Sequence, residues 1–205
     1  MPDENPTDPT GPTGLPEDPF PETVDAAKLD LDADPALATA VLEIEKHVAE
    51  AGWDQPARLF GLVDTAALVA QEPELAALMG LDQPSEDGSL TPVEQDSLNP
   101  NVPLEQVLPG ISWPGSVAGC AAVVERIVLP PEVHEDIPED DDEATEFAAN
   151  HPLRQEMRLV AGTTRTGSTY CAMRFRSHDE ESLVVGGTDL VPSLLELLSA
   201  TLVED

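Results

Sequence analysis

Arginine is the residue whose placement in this chain most suggests a task. Six of the nine basic residues, Arg126, Arg154, Arg158, Arg165, Arg174 and Arg176, fall between positions 126 and 176. Strand alternation over Ser168–Arg176 puts Tyr170, Arg174 and Arg176 on one face, with Cys171, Met173 and Phe175 on the other. On the segment before it, Arg158 is opposite in parity to Met157, Leu159 and Ala161. The pattern therefore predicts that Arg158, Tyr170, Arg174 and Arg176 share one exposed sheet face. A guanidinium grips a carboxylate through two parallel hydrogen bonds and stacks on planar groups. Such a face can hold the chain's own acidic segments, a protein partner or an anionic ligand.

Other chemistry is sparse. No phosphate-cradling Gly-x-x-x-x-Gly-Lys, Gly-x-Gly-x-x-Gly, Cys-x-x-Cys, His-Glu-x-x-His or Gly-x-Ser-x-Gly occurs. Trp113-Pro114-Gly115-Ser116 lacks the strand-to-helix setting of a nucleophile elbow. Gly186-Gly187-Thr188-Asp189 reads as a turn and helix cap, because Asp189 would repel a phosphate there. Asp140-Asp141-Asp142-Glu143 offers hard oxygen ligands, but as a block without the spacing of a calcium loop. It reads as a solvated charge run. His47, His134, His151 and His178 are scattered, and Cys120 and Cys171 read as two reduced core thiols. The expectation is therefore no catalytic set, no metal site and no cofactor.

The elements that must position the arginines sit in an unusually acidic chain. Of 205 residues, 41 are acidic, giving a formal charge of -32. That charge repels nucleic acid and anionic bilayers alike, so neither is an expected partner. No run reaches the length of a membrane span, and the acidic start has no secretory-signal pattern, which predicts a cytoplasmic setting. Residues 1–33 carry seven prolines and nine carboxylates and read as a disordered acidic, Pro-rich tail.

Residues 34–205 are expected to form a single domain. Asp34 and Pro35 open a helix whose stripe is Leu37, Val41, Ile44 and Val48, and Gly52 closes it. A second helical region follows Trp53, with Asp64 capping Thr65–Gln71 and Pro73 restarting it as far as Gly80. A linker, Asp82–Ser89, comes next. Thr91-Pro92-Val93-Glu94 has the capping-box pattern, and a short helix is expected over Leu104–Leu108. Cys120–Leu129 reads as a buried strand, residues 131–150 as an acidic loop, and Gln155–Thr163 with Ser168–Arg176 as a hairpin. Leu183–Val185 suggests a fourth strand, and Asp189 a cap for a final helix bearing Leu194, Leu195, Leu198 and Leu202. The predicted class is α+β: N-terminal helices, a small, mainly antiparallel sheet of three to four strands, and a C-terminal helix packed on it.

Several runs carry a resemblance. They are Arg58-Leu59-Phe60-Gly61-Leu62-Val63-Asp64-Thr65-Ala66, Ile111-Ser112-Trp113-Pro114, Gly119-Cys120-Ala121, Val124-Glu125-Arg126, Leu129-Pro130-Pro131, His151-Pro152 and Asp189-Leu190-Val191-Pro192. Together they are similar to a family of uncharacterised conserved proteins of actinobacteria, over roughly residues 36–203. The resemblance implies a bacterial cytoplasmic setting and supplies no catalytic residues.

The functional expectation is a non-enzymatic, cytoplasmic protein-binding domain of adaptor or chaperone-like kind, with the arginine face as its contact. The alternative is an enzyme or small-ligand protein that holds an anionic ligand on Arg158, Arg174 and Arg176. A deep pocket reached by these arginines favours the alternative; a flat or covered face favours the binder.

Overall fold

The computed structural model describes residues 33–81, 87–100 and 102–203. The expected tail, all but Ala33, and most of the Asp82–Ser89 linker lie outside the described residues.

Helix α1 (Pro35–Ala49) begins where expected, because the Asp34 carboxylate accepts the Ala36 and Leu37 amides at 3.0 and 3.3 Å. Strand β1 (Arg58–Asp64) follows, then the short helices α2 (Thr65–Gln71) and α3 (Pro73–Leu78). Asp64 caps α2 through the Ala67 amide, 2.7 Å away. Next come strand β2 (Leu90–Glu94), helix α4 (Leu104–Val107) running into a 3₁₀ turn, and the long strand β3 (Val117–Val128). A 3₁₀ segment at Pro131–Asp136 and helix α5 (Asp141–Asn150) precede the hairpin of β4 (Gln155–Thr164) and β5 (Thr169–Phe175). Strand β6 (Val185–Gly187) and helix α6 (Pro192–Thr201) close the chain.

The class is α+β, but the sheet has six strands rather than three or four, in the order β2-β1-β3-β4-β5-β6, every pair antiparallel. Two strands escape the sequence pattern for different reasons. β1 is short and continuously apolar at Leu59–Val63, so it shows neither helical nor alternating period, and the sequence pattern predicts only a helical region after Trp53. β2 contains the Thr91-Pro92-Val93-Glu94 run, which forms no helix. Pro92 pairs with Leu62 on an edge strand, where a missing amide is tolerated.

Two further expectations are corrected. The 131–150 acidic loop is largely helical: Asp140 accepts the Asp142 and Glu143 amides, both at 3.1 Å, and carboxylates in a first turn suit the helix dipole. Asp189 does not cap α6, which starts at Pro192 without a side-chain cap. Among the described residues α1 is the helix that precedes the first strand, and the other expected N-terminal helices form as α2, α3 and α4, interleaved with β1 and β2.

Helices cover both sheet faces. On one, α1 packs Leu37, Ala40, Val41, Ile44 and Val48 onto Phe60, Leu62, Ala121, Val123, Val160 and Ala172. On the other, α6 packs Leu194, Leu195, Leu198 and Leu202 onto Cys120, Ala122, Val124, Leu159, Ala161 and Cys171, beside Leu104, Leu108 and Trp113. Gly162 makes the α1 contact possible, since a Cβ there would lie 2.7 Å from Val41 Cγ2.

Candidate functional site

The predicted arginine face forms where the C-terminal end of α1 crosses β3, β4 and β5. Register places Glu125, Arg158 and Arg174 in one row across those strands. Parity is therefore as expected, but the face is not exposed. Arg158 is 0% and Arg174 4% accessible, because α1 and the turn after it lie directly on them. Their polar atoms need partners, and neighbouring carboxylates provide them fully for Arg174 and in part for Arg158.

Arg174 donates Nε and Nη2 to the two oxygens of Glu45 at 2.6 and 2.7 Å, a buried bidentate pair that fastens α1 to β5. Its Nη1 reaches Asp179 at 3.5 Å. The hydrogen bond from Glu45 holds the Arg174 guanidinium above its ordinary pKa. Arg158 donates Nη2 to Glu125 at 2.9 Å and to the Gly52 carbonyl. Its Nε and Nη1 are buried without a hydrogen-bond partner, and the guanidinium lies over the Trp53 ring, 4.5 Å from the centroid.

The turn after α1 completes the cluster. Gly52 and Asp54 take left-handed φ angles of +79° and +65°, and Asp is among the few non-glycine residues that adopt this conformation readily. The turn is held because Glu125 accepts the Asp54 and Gln55 amides at 2.8 and 3.3 Å. Asp54 in turn receives Arg176 Nη1 and Nη2 at 2.9 and 3.0 Å, and Arg176 also bonds Glu156 at 2.5 Å. Hydrogen bonding from Arg176 draws the Asp54 carboxyl below its usual range and raises the guanidinium. Trp53 donates its indole N–H to Asp179 at 3.0 Å, and Arg176 lies 5.7 Å from its centroid.

Three of the four predicted residues thus meet. Arg158 and Arg174 are buried, Arg176 is partly exposed, and all three bind carboxylates of this chain. None of those carboxylates comes from the 131–150 segment. Tyr170 does not join them. It lies on the same face but along the strand, in the apolar cluster beneath α1 with its ring against Gly186. Glu45, Trp53, Asp54 and Glu125 were missed by sequence reasoning. Glu45 left a legible signal: it falls beside the apolar stripe of α1, where a carboxylate requires a buried cation.

The remaining chemistry is structural. Arg165 donates to the carbonyls of Val117, Trp113, Pro114 and Leu202, tying the end of α6 to the start of β3. Burial pushes the Cys120 thiol up to about 11 and raises Cys171 as well, which leaves both far from nucleophilic thiolates at neutral pH. Among the described residues, no three His, Cys, Asp or Glu side chains converge as metal ligands.

Open depressions on the described surface include two. One, of about 630 Å³, is lined by Pro130, Pro152, Leu153, Arg154, Glu156 and Arg176; the other, of about 940 Å³, lies between the Pro100–Glu105 region and α5. Neither is lined by Arg158 or Arg174.

A family model described as PPA1309-like protein matches residues 37–203. The chain belongs to the PPA1309-like family. The PPA1309-like match runs from the first turn of α1 past the end of α6 and so contains the whole ion-pair cluster. No curated protein and no solved structure matches the chain.

Proposed function

We propose that this PPA1309-like chain is a non-enzymatic, single-domain protein-binding module of adaptor or chaperone-like kind, working in the cytoplasm of an actinobacterium. The observation that carries the reading is how the cations are used. Each of the eight described Lys and Arg residues has a partner within the chain, four of them in exposed pairs. Lys46, Arg58, Arg126, Arg154, Arg158, Arg174 and Arg176 pair with carboxylates, and Arg165 bonds backbone carbonyls. Among the described residues those pairs use eight carboxylates, Glu45, Asp54, Glu94, Glu105, Glu125, Glu156, Asp179 and Glu181, in a chain that carries 41. The exposed cations, Lys46, Arg126, Arg154 and Arg176, are each paired with a carboxylate, so the unpaired surplus is negative, and electrostatic steering then selects a basic protein surface over any phosphate-bearing partner. Two buried, unpaired thiols agree with a reducing compartment.

The competing reading, an anionic ligand on Arg158, Arg174 and Arg176, is less well supported. Two of its three cations are buried under α1, and all three already hold carboxylates. The same facts change how the arginine face serves the binding reading. Its task is to position α1 and the Trp53 turn, and the contact surface lies elsewhere.

The test is affinity capture by the tagged full chain at low and high salt, followed by titration of each purified captured protein. Saturable binding to a basic protein, weakening steeply with salt, is the expected result. An absence of saturable protein binding, together with a thermal shift on adding a small dianion such as citrate, would move the lead to the ligand reading.

A further inference from the structure

The connection between β1 and β2 carries apolar side chains that folding does not use. α2 and α3 together bury only Thr65 and Ala76. Yet Leu75 is 43%, Leu78 86% and Met79 40% accessible, with Val69 at 37% on the preceding helix. Leu75, Leu78 and Met79 recur at spacings of three and four, which is one helix face. Four large exposed apolar groups within eleven residues are a surface that no other described element covers.

The charge around them says what the partner is. No Lys, Arg or His occurs from position 59 to 125, whereas Glu72 and Glu74 stand among the apolar residues and both are exposed. None of the described ion pairs reaches α2 or α3. A second copy would bring the same carboxylates against these, and an anionic bilayer would be repelled in the same way.

We propose that the outward face of α3, with Val69 of α2, is the docking surface for a protein segment that combines apolar anchors with lysine or arginine. This deepens the binding reading above and rests on it. Apolar contact supplies the short-range attraction, and the uncompensated Glu72 and Glu74 select a basic rim over an acidic one.

The decisive experiment is a titration of the ¹⁵N-labelled full chain with three synthetic amphipathic peptides of equal length, built from Leu with Lys, Leu with Gln and Leu with Glu. The Leu/Lys peptide is expected to bind saturably and to shift the amides of Val69, Glu74, Leu75, Leu78 and Met79. Affinity should fall about tenfold in Leu78→Glu, as for a central apolar anchor. Because Leu78 is almost wholly exposed, that variant should keep the wild-type melting temperature, so the loss reads as binding. Shifts confined to other segments overturn the surface assignment and leave the general binding reading standing. Equal binding of the Leu/Gln peptide overturns the charge selection. Absence of saturable binding by all three overturns the docking surface, and the capture experiment above then decides separately whether the binding reading survives. Concentration-dependent dimerisation abolished by Leu78→Glu overturns the stated partner in favour of a second copy.

Discussion

Removing one side of a buried ion pair strands the other charge away from water, which is why Arg174 and Glu45 weigh more than any exposed pair in this molecule. With side chains only 5% and 3% accessible, Glu45→Gln alone is expected to destabilise the chain by about 3–5 kcal/mol in urea unfolding. Replacing both partners, Glu45→Leu with Arg174→Met, should cost clearly less than the sum of the single changes, since neither charge is then left unpaired. Cys120 supplies a second test at this scale, through pH. Burial raises its thiol from 9.0 to about 11, so the folded state holds the proton more tightly than the unfolded state. Its contribution is complete below pH 9.0 and is lost as pH rises toward 11. Unfolding curves across that window should show a fall on the order of 2 kcal/mol from this thiol, and the fall should be shallower in Cys120→Ala, where Cys171, also raised by burial, still loses its proton.

At the scale of elements, α1 is the part that turns a row of arginines into a buried network. Its seat depends on Gly162, where an added Cβ would meet Val41 at 2.7 Å and Leu37 at 3.2 Å. Gly162→Ala is therefore expected to lift α1 and destabilise by about 1–3 kcal/mol, as overpacking does. Amide exchange should quicken in α1 and at the Trp53 turn while α6, on the opposite face, keeps its protection. Exchange that rises equally in both helices would show that the two faces open as one unit, against this account. The elements divide by how local their causes are. α1, α2 and α3 were legible because caps, prolines and glycines mark their ends, and the β4–β5 hairpin because its turn and alternation agree. β1 and β2 were not, because a short apolar run and an edge proline acquire meaning only beside the strands that pair with them.

For the whole molecule, the charge of -32 sets two opposite responses to salt. Screening relieves self-repulsion of the compact state, so the melting temperature should rise with sodium chloride over the first few hundred millimolar. The same screening should weaken binding of a basic partner. Calorimetry and titration on one preparation compare the two directly, and a melting temperature that falls with salt would mean that exposed ion pairs outweigh the repulsion.

The sequence by itself determined the parity of Arg158, Tyr170, Arg174 and Arg176, the stripe of α1, the burial of both cysteines and the acidic surplus. Each follows from residue type and short-range spacing. Only the tertiary structure decided that the arginine face is covered, that Glu45, Glu125 and Asp54 are its counter-charges, and that Leu75, Leu78 and Met79 remain outside. The physical reason is that alternation tells which side chains share a face, whereas burial depends on what a distant segment lays over it. Arg174 and Glu45 are 129 positions apart and meet only because α1 crosses β5.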